Sequence, residues 1–304
     1  MPVIVVCHNG LSMGFPPTKN DHVRAPRGNT QGWTNTATRS NRRFLWSVNC
    51  PDLGSNGHSF TLTLKDCPAT AADWSALRRA FQKRLERLGA IRMHWLTEWQ
   101  RRGVPHLHGC VWLPEGVPGS AIIQHWLAVS ETYGSSPRGQ NTKPILDAIG
   151  WLKYLAKHAD RGVYNYQRAA DSIPEGWKGS TGRMWGHTGD WPTVAPLKLI
   201  VSKEGLFALR RIAQRWRLAQ SRADMDEANR SRRIRSARRM LQSPKRTVAT
   251  VRGAAEWLPK SASKAAILHL AASGYEFTWA EDKPEPDSET FPGFEVDPAP
   301  AAEV

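Results

Sequence analysis

Hydrophobic positions change their spacing several times between residues 59 and 158, which predicts strands interleaved with helices. Residues 60–64 (FTLTL) alternate and use β-favouring residue types, so they predict a strand. The next apolar residues recur every three or four positions and form one helical stripe. Thr70 with Asp73 resembles a capping box at its start, and Gly89 is placed to end it, so a helix is predicted. The stripe consists of Trp74, Leu77, Phe81, Leu85 and Leu88.

Two further runs have the composition of strands. Residues 91–99 (IRMHWLTEW) and 106–114 (HLHGCVWLP) are separated by the short segment QRRGVP, which predicts an antiparallel hairpin. Helical spacing returns over residues 121–130 and 145–159. Residues 171–193 are dense in glycine and tryptophan and predict an irregular loop.

These patterns together predict an α+β fold, in which an antiparallel sheet of about five strands is flanked by helices. Four regions are expected along the chain. Residues 1–58 form a lightly structured basic arm, 59–195 the sheet domain, 196–258 a basic helical extension that binds DNA, and 259–304 a weakly structured region. The last 24 residues carry eight acids and one Lys with several prolines, so we expect this acidic tail to be disordered.

The charge of the chain narrows the class of partner. Forty-two Lys and Arg against 27 Asp and Glu give a net charge of +15, which favours a polyanion, and nucleic acid before a membrane surface. Residues 198–246 alone hold 15 Lys or Arg and 4 acids. The acidic tail either competes for this basic surface or only aids solubility, and both alternatives stay open.

The four cysteines are scattered, without a CxxC pair or the spacing of a zinc ribbon, and we interpret them as reduced thiols. The apolar stretch at residues 2–7 is too short for a signal peptide or a membrane span. A cytoplasmic protein without a membrane partner is therefore expected.

The pair His106 and His108 is the sharpest chemical feature. Residues two apart on a strand project to the same face, so the two imidazoles can bind one cation. The predicted hairpin brings Glu98 beside His106 as a carboxylate ligand. We therefore predict a metal site with positions left open for a phosphate, although an HxH pair alone often occurs by chance.

Tyr154 and Lys157 lie three residues apart on a predicted helix and share a face. A phenol with a pKa near 10 is a weak nucleophile at neutral pH, so it needs a metal to polarise its target and a nearby cation. Lys157 has the chemistry of that cation. An ordinary amphipathic helix is the alternative.

Three segments, taken together, resemble the ordered motifs of the HUH endonuclease superfamily, and in particular its rolling-circle replication initiators. They are FTLTL at 60–64, HLHG at 106–109 and YLAK at 154–157. Histidines followed by tyrosine is the order of replication initiators and related transposases, whereas conjugative relaxases usually place the tyrosine first. The segments RSNRRFLW, ending at Trp46, and GRMWG, at 182–186, are similar to initiators of filamentous phages and related plasmids.

The resemblance implies an HUH-type sheet in which FTLTL lies centrally beside the histidine strand. It also implies that Mg²⁺ or Mn²⁺, held by the three ligands, polarises a phosphate in single-stranded or extruded origin DNA while Tyr154 attacks. The products are a 5′-phosphotyrosine and a free 3′-OH that primes a host DNA polymerase. The chain has no GxxxxGK[ST] motif, so a host helicase is an expected partner.

Initiators with two active tyrosines carry them four residues apart, and this chain has His158 at the second position. A single catalytic tyrosine is therefore implied, and termination needs a second subunit, as in a homodimer, or another nucleophile. Tyr164 and Tyr166 do not match the spacing of a second nucleophile, so we expect them to be structural or to stack on DNA.

Basic and aromatic residues outside these motifs are candidates for DNA contact. The glycine-rich segment contains three tryptophans, which either stack on unpaired bases or belong to the core. They are Trp177, Trp185 and Trp191. The DNA-contact candidates are Arg42, Arg43, Lys178, Arg183, Trp185, Arg210, Arg211, Arg232 and Arg233.

Three other functions remain possible. A DNA-binding regulator without nuclease activity needs only the basic segments, and the ligand set argues against it. A non-haem iron oxygenase also uses two histidines and a carboxylate, but it gives no reason for the basic chain or for YLAK. A single-tyrosine transposase shares the chemistry, but such enzymes are typically shorter.

Overall fold

The computed structural model describes residues 1–16, 29–160, 166–242 and 253–280, with only the backbone for residues 157–160. The helices are α1 (Asn35–Ser47), α2 (Ala71–Arg87), α3 (Ser120–Ser130), α4 (Ala148–Asp160), α5 (Lys203–Arg222), α6 (Glu227–Arg239) and α7 (Lys260–Ala272). The strands are β1 (Val3–Val6), β2 (Leu11–Gly14), β3 (Gly57–Thr63), β4 (Arg92–Trp99), β5 (Pro105–Trp112), β6 (Asn141–Pro144), β7 (Trp185–Gly189), β8 (Leu197–Val201), β9 (Ala254–Glu256) and β10 (Phe277–Trp279).

Five antiparallel strands form the histidine sheet, in the order β6-β3-β5-β4-β7. The predicted α+β class and the five-stranded sheet flanked by helices are therefore confirmed. The FTLTL strand lies beside the histidine strand, as expected, although β5 rather than β3 is the middle strand. Leu62 and Leu107 are paired and fully buried, in the core between this sheet and its helices.

The helix predicted after β3 is present as α2. The Thr70 side chain accepts from the Asp73 backbone, and Asp73 accepts from the Thr70 backbone, which completes the capping box. Gly89 follows the helix with a φ of +87°, a conformation that glycine adopts without strain. The predicted stripe packs on one face of the histidine sheet, where the Trp74 indole donates to the Thr97 hydroxyl.

The N-terminal region differs from its prediction. Residues 1–58 are not a lightly structured arm, because they contain β1, β2 and α1. The apolar FLWSV stretch belongs largely to α1, with Leu45 and Trp46 buried against the rest of the protein. A helix begins here because the Thr34 hydroxyl accepts from the Ala37 backbone amide.

A second sheet, the terminal sheet, was not predicted. Its order is β10-β8-β1-β2-β9, so it joins strands from both ends of the described chain. The region expected to be a basic helical extension does contain α5 and α6, but it also supplies β8 and β9. The region expected to be weakly structured supplies α7 and β10, while the acidic tail lies outside the described residues.

The glycine-rich segment was also predicted incompletely. Residues 185–189 are not irregular, since they form β7, the edge strand that pairs with β4. Only glycine fits at position 186 of this strand, because an added Cβ would lie 2.8 Å from the Trp95 ring. Trp177 and Trp191 are buried in the core, as the structural alternative predicted.

Helix α1 connects the two sheets. Its Asn41 side chain is within 2.8 Å of His94 on β4, and the Trp46 ring meets Trp257 edge to face beyond β9. Asn9 of the β1–β2 turn donates to the Val48 carbonyl just after the helix. Among the described residues, no helix combines the length and the apolar composition that crossing a bilayer requires. All four cysteines are free thiols.

Candidate metal centre and tyrosine helix

Glu98, His106 and His108 converge on one face of the histidine sheet. Glu98 is the direct cross-strand partner of His106, and His108 follows two residues later on β5. The Glu98 Oε2 atom lies 3.9 Å from His106 Nε2 and 3.6 Å from His108 Nε2. These distances are longer than hydrogen bonds, and one ligand atom from each residue lies within 4.8 Å of the others. The structure thus brings together the three residues that the sequence predicted.

The hairpin sets this arrangement. Gly103 has a φ of +75° in the turn, and the Gln100 amide donates to the Val104 carbonyl, so the strands are joined in a fixed register. A shift of one residue would place His106 on the opposite face. Gly109 is also required, since an added Cβ would lie 2.2 Å from the His94 carbonyl oxygen.

A hydroxyl group orients one of the imidazoles. Thr61 Oγ1 lies 2.9 Å from His108 Nδ1, on the strand beside β5. A proton on Nδ1 makes this a hydrogen bond and leaves the Nε2 lone pair directed at the cluster. The His106 and His108 rings lie 4.3 Å apart at 80°, so the second ring approaches from a different direction.

Arg168 is a site residue that the sequence analysis missed. Its Nε and Nη2 atoms donate to Glu98 Oε1 at 2.9 and 2.8 Å, and the guanidinium lies 3.9 Å from the centre of the Trp33 ring. Both partners are buried, at 2% exposure for Arg168 and 0% for Glu98. Arg168 therefore fixes one carboxylate oxygen and leaves Oε2 facing the histidines. No motif marks it, because it is 70 residues from Glu98 in sequence.

The donor set fits a divalent cation. One carboxylate oxygen and two imidazole nitrogens are hard-to-intermediate ligands, and three protein ligands leave positions open for substrate oxygens. The His106 Nε2 atom is buried and forms no hydrogen bond with any described residue. A buried polar atom without such a partner is costly, and a cation at this point would satisfy it.

Helix α4 covers the same face of the sheet. Cys110 projects to the side of His106 and His108 because alternate residues of a strand share a face. Trp151 of α4 lies close to the Cys110 thiol, whose pKa is raised by burial. Tyr154 lies one turn later, 41% exposed, with its ring stacked on Trp151 at 4.9 Å. Leu152, Leu155 and Ala156 are the buried side of the helix.

The match to known proteins covers this same region. The family model for the replication-associated protein ORF2/G2P matches residues 58–159, which include β4, β5, all but the first residue of β3 and all but the last residue of α4. A putative replication protein of Xylella fastidiosa (strain 9a5c) is 42% identical over 91% of this chain and 99% of its own length. The replication-associated protein G2P of Pseudomonas phage Pf3 is 43% identical over 89% of this chain and 99% of its own length. The chain belongs to the ORF2/G2P replication-associated protein family. No solved structure matches it.

The family match ends before Arg168, so the residue that holds Glu98 lies outside the matched segment. Tyr164 and Tyr166, the tyrosines that follow Tyr154 in sequence before β7, lie beyond it as well. Tyr166 is 43% exposed with Arg101 5.0 Å from its ring centre, and Tyr164 lies outside the described residues. The side chain of Lys157 is also outside them.

The candidate DNA contacts fall in different places. Arg42 and Arg43 lie on α1, and Arg211 is exposed on α5. Arg210 is removed from the DNA surface, because it is only 7% exposed and donates to the Leu241 carbonyl. Trp185 is half-buried against Phe44, 6.2 Å away, which limits the ring face left for a base.

The remaining candidates are exposed basic residues on loops and on α6. Lys178 pairs with Glu175, and Arg233 pairs with Asp224 at 2.6 Å, so a carboxylate already neutralises each of these charges. Arg183 is exposed just before β7. Arg232 is exposed on α6.

Proposed function

We propose that this protein initiates rolling-circle DNA replication by nicking one strand at the origin and linking Tyr154 to the cut end, in the manner of HUH endonucleases. The observation that carries the proposal is the buried cluster of Glu98, His106 and His108 on the face that α4 covers. The similarity to named replication proteins over nearly the full length supports the replication role.

Glu98, His106 and His108 would hold Mg²⁺ or Mn²⁺. A divalent cation in this position withdraws electron density from a phosphate oxygen and makes phosphorus more electrophilic. Arg168 keeps Glu98 in place through its other oxygen. Thr61 keeps the His108 ring in the orientation that presents Nε2.

Tyr154 supplies the nucleophile in this proposal. Its phenol oxygen bonds to phosphorus and the bond from phosphorus to the 3′ oxygen breaks, so the 5′ end becomes a phosphotyrosine. The phenol proton leaves as the bond forms, and the departing oxygen takes up a proton to give a free 3′-OH. Lys157 is the cation that favours the phenolate. The new linkage is a phosphodiester, so the reverse attack by a 3′-OH rejoins the strand without ATP.

A host DNA polymerase would extend the 3′-OH, and a host helicase would unwind the duplex. A second subunit, if the protein forms a homodimer, would supply the tyrosine for termination. The two different-class alternatives, a regulator without nuclease activity and an iron oxygenase, leave no covalent DNA adduct.

The test uses labelled single-stranded DNA from the origin region of the protein's own replicon, with Mn²⁺. Wild type, Tyr154→Phe and Tyr166→Phe are incubated with it and run on a denaturing gel. The two tyrosines are equally exposed, so Tyr166→Phe is a matched control. We expect a denaturant-resistant adduct in wild type and Tyr166→Phe, and none in Tyr154→Phe or with a chelator. An adduct that forms in Tyr154→Phe but not in Tyr166→Phe would assign the nucleophile to Tyr166 instead. Binding without cleavage would favour a regulator.

A further inference from the structure

A large basic groove lies beside the terminal sheet, and none of the three candidate metal ligands lines it. Its volume is about 1380 Å³, and its lining includes both α1 and α6. Small-molecule sites measure roughly 300–1,000 Å³, so the groove has room for a larger ligand.

The floor of the groove follows from the alternation of β1 and β2. Ile4 and Val6 point into the core, while Val3 and Val5 line the groove together with Ser12 of β2. The floor is thus largely apolar. The hydrogen-bonding and charged groups come from the helices on either side.

Arginines of two helices line the groove. Helix α1 contributes Arg39, Arg42 and Arg43, whose spacing of three and four places them on one face. Helix α6 contributes Arg232, Arg235 and Arg239 with the same spacing. Each helix therefore turns one arginine face toward the same space.

Four of these arginines lack an acidic partner among the described residues. Arg217, the seventh arginine, is ion-paired with Glu256, and no Asp or Glu is among the described residues that line the groove. Arg39, Arg43, Arg235 and Arg239 are exposed and form no ion pair with any acid in the described part of the chain. Like charges gathered this closely destabilise a fold unless an anion occupies the space between them.

We propose that this groove binds the sugar-phosphate backbone of DNA, at a site separate from the metal centre. The proposal rests on the proposed function, which makes DNA the substrate. Guanidinium groups bind phosphate through paired hydrogen bonds, and two rows of them suit a ligand with regularly repeated phosphates. A concave groove fits a linear polymer better than it fits the flat surface of an anionic membrane.

Helix α1 links the groove to the metal centre. Its arginines line the groove, while Asn41 on its other face contacts His94 in the histidine sheet and the helix packs against α4. DNA held in the groove would therefore be positioned relative to the helix that carries Tyr154. The groove would hold and position the DNA, and the metal centre would cut it.

The test compares two full-length variants that each lose four positive charges. The groove variant is Arg39→Gln/Arg43→Gln/Arg235→Gln/Arg239→Gln. The control is Arg79→Gln/Lys83→Gln/Arg84→Gln/Arg87→Gln. These four positions are exposed on α2, which packs on the face of the histidine sheet opposite the metal centre. Binding of fluorescent origin-region DNA, duplex and single-stranded, is measured between about 50 and 200 mM salt.

We expect the groove variant to lose about three to four units of slope in log affinity against log salt, because each lost duplex phosphate contact removes about 0.9. The control should keep the wild-type slope. If the slope decreases only for duplex DNA, the groove binds double-stranded DNA. If it decreases only for the single strand, the groove binds unpaired DNA. Equal slopes in both variants and wild type would overturn the proposal, as would unchanged DNA binding with loss of binding to anionic lipid vesicles.

Two further measurements separate this proposal from the nuclease. The groove variant should still form the covalent adduct on a saturating short single strand that spans only the nick site, whereas Tyr154→Phe should keep the wild-type salt slope and form none. If wild type never forms an adduct but the slopes differ as expected, DNA binding by the groove is supported and the proposed nuclease activity is wrong. If the fourfold variant does not fold by circular dichroism, Arg235→Gln/Arg239→Gln on exposed α6 positions should show about half the loss of slope.

Discussion

Arg168 donates two hydrogen bonds to a single oxygen of Glu98, and both side chains are buried. The other carboxylate oxygen faces His106 and His108. A buried ion pair of this kind makes each partner depend on the other, since either charge alone is strongly disfavoured away from water. The relationship explains how a carboxylate in the interior is held with one oxygen directed at the two histidines.

Replacing Arg168 by Met should lower the free energy of unfolding by about 3–5 kcal/mol, because Glu98 loses both hydrogen bonds from the guanidinium while it remains buried. Denaturant unfolding measures this. Arg101→Met removes an exposed arginine that lies over the Tyr166 ring and should cost less than about 1 kcal/mol. In a Glu98→Gln background the Arg168→Met change should cost much less. An equal cost in both backgrounds would mean that the pair is not what Arg168 stabilises.

Thr61→Val should weaken Mn²⁺ binding about 10- to 100-fold, because the hydroxyl no longer orients the His108 ring. Isothermal titration calorimetry with Mn²⁺ is the measurement. Thr142→Val is a matched control in the same sheet, since the Thr142 hydroxyl forms no hydrogen bond with described residues. If the two variants bind Mn²⁺ equally well, Thr61 does not support the site.

Gly109→Ala should destabilise the protein by about 1–3 kcal/mol, the usual cost of overpacking a core. Its Cβ would lie 2.2 Å from the His94 carbonyl and 2.4 Å from the Phe60 ring, so β4 and β5 must separate. Gly14→Ala meets only an ordinary contact at 3.4 Å and should be nearly neutral. Thermal unfolding compares the two, and a wild-type melting temperature for Gly109→Ala would show that the HLHG glycine is not a packing requirement.

Acidification should destabilise the protein through His94. Burial, together with the nearby His187, lowers the pKa of His94 from 6.5 to about 3. The unfolded chain therefore takes up a proton below pH 6.5 that the folded protein does not take up until about pH 3. This stabilising contribution is complete above pH 6.5 and decreases as the pH falls, by at most about 1.4 kcal/mol per pH unit.

His94→Gln tests this pH dependence. An amide can still hydrogen-bond to Asn41 but does not titrate, so its unfolding free energy should fall less steeply than that of wild type between pH 6.5 and pH 4. His187 faces His94, and Arg183 lies close to His187. Because these groups affect the titration, wild type and His94→Gln are compared with both of them unchanged. Parallel curves for wild type and His94→Gln would contradict the assignment.

Local patterns predicted the histidine sheet well. The period-two runs around FTLTL and HLHG and the short loop between residues 99 and 106 constrain the hairpin, and the hairpin alone places Glu98 opposite His106. The capping box predicted the start of α2 for the same reason, since all its partners are within one turn.

Features that depend on distant partners could not be predicted. Strand β1 is only four residues long and pairs with β8 from the far side of the described chain, so its local pattern resembles that of any short apolar segment. Strand β7 contains Gly186 because the Trp95 ring leaves no room for a side chain there. Its glycine content therefore resembles that of a loop, and the sequence alone did not predict a strand. Arg168 has an ordinary surface residue type, and only the folded arrangement reveals its buried role.

The most direct test of the central claim is to locate the DNA on the protein. Wild type is cross-linked through its own reaction to a short origin-region strand with Mn²⁺, digested with nuclease and trypsin, and the nucleotide-bearing peptide is identified by mass spectrometry. Tyr154 falls in the tryptic peptide 154–157 and Tyr166 in 162–168, so the two are distinguished directly. We predict the nucleotide on Tyr154. A nucleotide on peptide 162–168, or no modified peptide under conditions in which the strand is bound, would contradict the account.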